Sequence, residues 1–185
     1  MSERVCPWWV GYLLASPVRR VLQRPEDILA PYIKEGNTVL DAGSAMGFFS
    51  LPMARLVGES GHVVCVDLQD RMIRTLRKRA VKANLIQRIE LRVCTTSSLC
   101  INDLAEKIDF ALAFAVVHEV PDAQHLLSEI HASLKNGGLL LFSEPTGHVS
   151  KEMFDATLSI AKTVGFHMSD SPSIRRGYSS VLLKS

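Results

Sequence analysis

Short apolar runs along the chain alternate with segments in which apolar residues recur every three or four positions. The runs predict strands at residues 38–40, 62–66, 89–93, 110–117 and 139–143. The fourth run is entirely apolar, as expected of a strand that is buried on both faces of a parallel sheet. The periodic segments predict the helices that connect these strands.

Three periodic segments between the strands predict helices. The first covers residues 48–56, the second begins at an Asp70 N-cap, and the third covers residues 122–134. Gly137 and Gly138 follow the third segment at the position that favours a helix C-cap. This alternation predicts an α/β fold, a doubly wound parallel sheet with helices on both faces.

The C-terminal part of the chain breaks the alternation. Residues 153–164 have the period of a helix, but the apolar runs at 166–168 and 178–183 have no helical segment between them. The link that joins these two runs is too short for a crossover helix. The two runs therefore predict an antiparallel hairpin at the end of the sheet.

The composition is that of an ordinary globular protein. The 185 residues are 47% hydrophobic and 22% charged, which predicts one domain and excludes disordered, collagen-like and disulfide-scaffold classes. With 21 basic and 19 acidic residues the net charge is +2. Composition therefore gives no electrostatic reason for binding nucleic acid or a membrane surface.

No CxxC pair or zinc-like spacing occurs among the four cysteines, Cys6, Cys65, Cys94 and Cys100. No metal site is therefore predicted, and the cysteines are interpreted as reduced thiols of a cytoplasmic protein. The uncharged stretch at residues 5–18 is too short to span a bilayer. A signal peptide is the alternative for this stretch, but Glu3, Pro7 and the absence of an A-x-A site argue against it.

The turn after the first strand is rich in small residues and reads Asp41-Ala42-Gly43-Ser44-Ala45-Met46-Gly47. Gly43 permits a tight turn, and Gly47 permits close approach of a ligand to the backbone. The N–H groups that begin the next helix suit an anionic group at this edge of the sheet. Asp67 ends the second strand, where its carboxylate can accept hydrogen bonds from both hydroxyls of a ribose.

Two common nucleotide-binding motifs are absent. The dinucleotide fingerprint needs glycines where this chain has Ala45 and Phe48, which argues against a dehydrogenase. A P-loop is also excluded, because the chain contains no Gly-Lys-Ser or Gly-Lys-Thr.

The spacing D-x-G-x-A-x-G at Asp41–Gly47 resembles motif I of the class I S-adenosylmethionine-dependent methyltransferases. Three later blocks follow in the order of that family: Val64–Asp67, Asp109–Asp122 and Leu134–Pro145. The resemblance is to the ubiquinone/menaquinone-type branch, the methyltransferase domain 11 group, and covers residues from about 20 to 184. It implies a Rossmann-like seven-stranded sheet, mostly parallel with an antiparallel C-terminal strand.

The resemblance also implies which residues bind S-adenosylmethionine. From the methionine end to the adenine these are Asp41, Gly43, Ser44, Ala45 and Gly47, then Phe114 near the sulfonium, Asp67 at the ribose, and Leu68, Met72, Thr95 and Thr96 around the adenine. The chain departs from the family at two of them. Ala45 stands where the motif usually has glycine, and Thr95 stands where an acidic residue usually meets the adenine amine.

A general base is needed only if the methyl acceptor must lose a proton. The catalytic candidates follow the fourth and fifth strands and are His118, Glu119 and Glu144. His118 is preferred because imidazole titrates near neutral pH. The alternative is a structural histidine beneath a turn. No metal ion is required by this chemistry.

The predicted function is methyl transfer from S-adenosylmethionine to a small-molecule acceptor. Two alternatives stay open, an RNA or protein methyltransferase and a non-catalytic cofactor-binding module. A partner chain could complete the acceptor site of such a module, and a homodimer or a partner chain is the predicted possible assembly. The helix after Asp70 carries six basic residues, but it is interpreted as a solvated face because no aromatic residues interleave with them.

The chain is predicted to consist of an N-terminal helical segment, residues 1–36, and a cofactor-binding core, residues 37–185. Trp8, Trp9 and Tyr12 lie in the first segment. Two interpretations of these aromatic residues remain, a helix that packs on the core and a lid over the cofactor.

Overall fold

The computed structural model describes residues 23–185, which form one seven-stranded sheet with helices on both faces. The strands are β1 Thr38–Ala42, β2 His62–Asp67, β3 Ile89–Val93, β4 Ile108–Phe114, β5 Leu134–Pro145, β6 Phe166–Asp170 and β7 Gly177–Lys184. The helices are α1 Pro25–Leu29, α2 Ser50–Leu56, α3 Asp70–Lys82, α4 Ala123–Ser133 and α5 Lys151–Val164. Single turns of 3₁₀ helix lie at Ile86–Arg88, Asn102–Leu104 and Val117–Glu119.

The strand order is β3-β2-β1-β4-β5-β7-β6. Strands β1 to β5 pair in parallel, whereas β7 runs antiparallel to both β5 and β6. The predicted mostly parallel sheet with an antiparallel C-terminal strand is therefore confirmed. The chain runs outward from β1 to β3 and then crosses to β4, so the switch point lies at the carboxyl ends of β1 and β4. Ligands of doubly wound sheets bind at that place.

Alternate residues of the buried strands supply the two halves of the core. One face includes Leu40 and Phe142, and Phe142 stacks on Phe154 of α5 with ring centroids 4.8 Å apart. The other face includes Val39 and Phe110 and is covered by α1, α2 and α3. Leu29 of α1 is completely buried there. The predicted lid residues Trp8, Trp9 and Tyr12 lie outside the described residues.

The third predicted helix ends earlier than its glycines indicated. Helix α4 stops at Ser133, and Leu134 already belongs to β5, where it pairs with Ile108. Gly137, with φ at +80°, forms part of an irregularity inside this strand. The C-cap prediction for Gly137 and Gly138 was therefore wrong, because burial of Leu134 in the sheet ends the helix first.

Two further boundaries differ from the predicted ones. Asp70 is the first residue of α3 rather than its N-cap, which is Gln69, and the Asp70 carboxylate lies 2.8 Å from Arg74. Strand β4 ends at Phe114 rather than at residue 117, because Ala115 adopts a left-handed φ of 57° that ends extended structure. None of the helices within residues 23–185 is long and apolar enough to cross a membrane.

Candidate functional site

The glycine loop, residues 43–47, connects β1 to the turn before α2 and folds back toward β2. The backbone N–H groups of Gly43 and Ser44 both donate to the Val66 carbonyl, at 2.9 Å each. Gly43, Ala45 and Gly47 adopt φ values of 77°, 45° and 80°. Left-handed backbone is accessible to glycine without a Cβ penalty, which explains the glycines at the outer two positions.

At both glycines, the space that a Cβ would occupy is already taken by side chains of other segments. A Cβ on Gly43 would lie 2.7 Å from Val116 Cγ2, and a Cβ on Gly47 would lie 2.2 Å from Leu76 Cδ1. Val116 follows β4, and Leu76 belongs to α3. The glycine loop is therefore packed between the turn after β4 and the helix after β2.

Asp67, at the end of β2, lies against the glycine loop. Its Oδ2 accepts a hydrogen bond from Ala45 N and its Oδ1 accepts one from Gln69 N, both at 2.8 Å. Burial raises the pKa of Asp67, and these two N–H groups act in the opposite direction. Each carboxylate oxygen has two acceptor positions, so acceptor capacity remains at the position predicted for the ribose.

Asp41 lies beneath the glycine loop and is 3% exposed. Its Oδ2 accepts a hydrogen bond of 2.5 Å from Ser50 Oγ at the start of α2. Burial raises the pKa of Asp41 to about 7, although the bond from Ser50 lowers it. Asp41 thus ties β1 to α2 as a buried acid that titrates near neutral pH.

The buried position of Asp41 predicts a pH dependence of stability. Between pH 3.8 and about 7 the folded chain retains a proton that the unfolded chain has released. The free energy of unfolding therefore falls as pH rises through this window. We expect Asp41→Asn to remove that fall, so that its stability relative to wild type improves by about 3 kcal/mol between pH 5 and pH 8.

Urea denaturation of both proteins at the two pH values measures this change. The exposed carboxylate of Asp155, on α5, provides a control, and Asp155→Asn is expected to follow wild type. An Asp41→Asn variant that kept the full wild-type pH dependence would contradict a protonated Asp41.

Two more features of the glycine loop were not predicted. The Arg79 guanidinium of α3 donates to the Met46 carbonyl and holds the loop from the outside. Ser44 Oγ is one of two buried side-chain polar atoms in residues 23–185 without a hydrogen-bond partner, and the other is His131 Nε2. The sequence showed Arg79 only as one member of a basic row, with no sign of its partner.

The segment after β3, residues 94–100, lies next to Asp67 and is called the β3 loop below. Cys94 N donates to the Asp67 carbonyl at 3.0 Å, and Thr95 N donates to the Ser98 carbonyl at 3.0 Å. Thr95 and Thr96 are exposed beside this contact. The predicted adenine-side residues differ in access, since Leu68 is half-buried and Met72 is 3% exposed.

Two of the three catalytic candidates, His118 and Glu144, form a hydrogen-bonded pair at the ends of β4 and β5. His118 Nδ1 lies 2.5 Å from Glu144 Oε2, and Glu144 Oε1 accepts the backbone N–H groups of Val117 at 2.9 Å and His118 at 3.2 Å. The Glu144 side chain is 2% exposed, so the protein fixes its position. The hydrogen bond to Glu144 raises the pKa of His118, against the effect of burial, and Glu119 adds to the increase.

The arrangement leaves His118 Nε2 as the ring nitrogen that is not engaged by Glu144. The His148 ring lies edge-on to the His118 ring, with centroids 5.7 Å apart. Val116, which packs on Gly43, precedes His118 by two residues. Phe114 lies at the end of the same strand, with its ring centroid 4.6 Å from that of Phe49.

The structure thus brings together the glycine loop, Asp67, the β3 loop and the His118–Glu144 pair at one edge of the sheet. Met72, in the first turn of α3, is buried. No group of histidine, cysteine, aspartate and glutamate residues suited to a metal ion occurs in the described part of the chain.

Comparison with known proteins agrees with this geometry. The sequence profile of the methyltransferase domain family matches residues 33–172. A ubiquinone/menaquinone biosynthesis C-methyltransferase of Marinomonas is 26% identical over 147 residues, which cover 77% of this chain and 57% of that protein. An arsenite methyltransferase of Halobacterium salinarum is 32% identical over 109 residues, which cover 59% of this chain and 27% of that protein.

A solved structure extends the likeness over the whole fold. The S-adenosylmethionine-dependent methyltransferase of Aquifex aeolicus superposes with a TM-score of 0.84 at 22% identity, covering 97% of this chain and all of that one. The chain spans only about a quarter to three-fifths of the curated relatives above. Because the family profile matches most of its length, the chain belongs to the methyltransferase domain family of class I S-adenosylmethionine-dependent enzymes.

Proposed function

We propose that this chain transfers a methyl group from S-adenosylmethionine to a small-molecule acceptor whose attacking atom loses a proton. The observation that carries this proposal is the contact of Val116 with the glycine loop two residues before His118. This contact joins a cofactor-type loop to a histidine held by a buried carboxylate. The same sheet edge can then hold a cofactor and remove a proton from a second molecule.

The residues at this edge fit S-adenosylmethionine. Asp67 retains acceptor capacity for ribose hydroxyls next to the glycine loop. Ser44 Oγ is a buried hydroxyl whose hydrogen-bonding capacity no described residue meets. Thr95 and Thr96 are exposed residues of the β3 loop, on the side proposed for the adenine, and Thr95 Oγ1 donates to the Ser98 carbonyl at 3.4 Å. Asp67 therefore suits the ribose, Ser44 suits the part of the cofactor that lies on the glycine loop, and Thr95 and Thr96 suit the adenine.

The chemistry supplied by bound S-adenosylmethionine is an electrophilic methyl group on a sulfonium sulfur. His118 contributes the proton acceptor. Because Nδ1 donates to Glu144, neutral His118 presents the lone pair of Nε2 to the acceptor site. Glu144 orients the ring and stabilises the imidazolium that forms when Nε2 takes the proton.

The relatives support a small-molecule acceptor. Their names include a ubiquinone/menaquinone biosynthesis C-methyltransferase, a ubiquinone biosynthesis O-methyltransferase and arsenite methyltransferases. A base at the site favours an acceptor atom that carries a proton, either a hydroxyl or an acidic C–H group. The cytoplasmic location and the homodimer or partner chain stay predictions.

A transfer assay with methyl-labelled S-adenosylmethionine tests the proposal. The acceptor panel contains simple phenols, catechols, hydroquinones, arsenite and bulk RNA, and the release of S-adenosylhomocysteine is measured with each. We expect turnover with a phenol-type or hydroquinone-type acceptor. Label found only in RNA, with a rate that falls steeply as salt rises, would favour the RNA alternative. Cofactor binding without transfer to any acceptor would favour the non-catalytic module.

A further inference from the structure

The β3 loop is a compact, internally bonded segment although it carries no regular secondary structure. Ser98 closes a turn with Thr95 through their backbones, and Cys100 N donates to Ser98 Oγ at 3.0 Å. Cys100 adopts a left-handed φ of 56°, which few residues other than glycine tolerate. Arg92 Nη1 donates to the Cys100 carbonyl at 3.0 Å. Such a conformation persists only when surrounding contacts determine it.

One buried carboxylate supplies the main contact from behind the loop. Glu129 Oε1 accepts a hydrogen bond of 2.6 Å from Ser98 Oγ, and Glu129 Oε2 accepts one of 2.8 Å from Leu99 N. The Glu129 side chain is 9% exposed, and Leu99 is 6% exposed. Hydrogen bonds to an ionised acceptor are stronger than neutral ones, so this contact fixes two consecutive residues of the loop.

The position of Glu129 connects the loop to the other half of the site. Glu129 belongs to α4, and the N-cap of this helix, Asp122, lies shortly after the 3₁₀ turn Val117–Glu119 that carries His118. The exposed side of the β3 loop, with Thr95 and Thr96, remains available for a ligand beside Asp67. One side of the β3 loop is therefore held by Glu129, and the side where the adenine is proposed to lie is exposed to solvent.

We propose that Glu129 is a positioning residue for the cofactor, which holds the β3 loop so that Thr95 and Thr96 face the adenine. This inference rests on the proposed function. Glu129 acts through the loop and does not itself contact the cofactor.

The inference predicts a loss of cofactor affinity rather than a loss of chemistry. We expect Glu129→Ala to raise the dissociation constant of S-adenosylmethionine by about 10- to 100-fold. The turnover number at saturating cofactor should stay within about twofold, since His118 and Glu144 are unchanged. Glu129→Gln should recover most of the affinity, because its Oε1 can accept from Leu99 N while its Nε2 donates to Ser98 Oγ.

Calorimetric titration of the full chain with S-adenosylmethionine measures these constants at a temperature at which each variant is folded. Gln124→Ala, an exposed change on the same helix, is the matched control and should bind like wild type. Should Glu129→Ala fail to fold, Ser98→Ala removes one of the two contacts of Glu129 together with the bond from Cys100 N, and should weaken binding by about 3- to 10-fold.

The outcomes separate this inference from the proposed function. A folded Glu129→Ala or Ser98→Ala variant with wild-type affinity, merely less stable to heat, would overturn the positioning role and leave the proposed function intact. Failure of wild type to bind S-adenosylmethionine would overturn both proposals. Weakened binding that Glu129→Gln restores is the result that supports the inference.

Discussion

His118→Ala is expected to lower the turnover number by about 10²- to 10⁴-fold, the usual contribution of a general base. The affinity for S-adenosylmethionine should not change, because His118 bonds to Glu144 and not to the glycine loop or Asp67. The effect therefore belongs to the step in which the acceptor loses its proton. Steady-state kinetics at saturating cofactor, together with calorimetry, separates the two quantities.

The pH dependence of kcat/KM of wild type provides an independent test of the role of His118. Only neutral His118 can take a proton, and the bond to Glu144 raises its pKa above 6.5. We expect kcat/KM to rise with pH and to level off above the raised pKa, rather than at 6.5. A profile without this rise would exclude His118 as the base.

Glu144→Gln tests the orientation of the ring without removing it. The amide oxygen can still accept the N–H groups of Val117 and His118, but the amide nitrogen then donates to His118 Nδ1. The proton of neutral His118 moves to Nε2, which can no longer act as a base. We expect a loss of turnover close to that of His118→Ala. His167→Ala, at an exposed histidine of β6, is the control and should keep wild-type activity. Full activity of His118→Ala would contradict the assignment of His118 as the general base.

Gly47→Ala is expected to destabilise the fold by about 2–4 kcal/mol and to abolish cofactor binding. The alanine would have to keep the left-handed backbone φ of 80°, and its Cβ would lie 2.2 Å from Leu76 Cδ1. Leu76 of α3 is completely buried in the protein core, so it cannot move aside without displacing its neighbours. The midpoint and slope of urea denaturation measure the loss.

Gly137→Ala separates the two causes of this effect. Gly137 has the same φ of 80°, but a Cβ at this position would point into open space, with no atom beyond its chain neighbours within 4 Å. This variant should lose only the backbone contribution, about 1 kcal/mol. Equal losses at Gly47 and Gly137 would show that the contact with Leu76 does not matter.

The local parts of the site could be predicted from the sequence. The strand pattern located the turn at Gly43 and Gly47, and the position of Asp67 at the end of β2 indicated its place beside that turn. Both features depend on residues close together in the chain or on neighbouring parallel strands. The short apolar runs also predicted the seven strands, since burial on both faces of the central strands favours apolar residues throughout.

Contacts between distant segments could not be predicted in the same way. His118 and Glu144 were separate candidates, and their bond depends on how β4 and β5 align. Glu129 reaches the β3 loop across 30 residues of chain, and Arg79 reaches Met46 across 33. In the sequence, a charged residue on a helix that is exposed to solvent cannot be distinguished from one that forms hydrogen bonds with a loop. Only the packing of the helices against the sheet distinguishes these cases.

Calorimetric titration of the wild-type chain with S-adenosylmethionine, S-adenosylhomocysteine and NAD⁺ tests the central claim most directly. The glycine loop, Asp67 and the β3 loop predict that S-adenosylmethionine and S-adenosylhomocysteine both bind, whereas NAD⁺ does not, since Ala45 and Phe48 replace the glycines of a dinucleotide site. Binding of NAD⁺ alone would contradict the account.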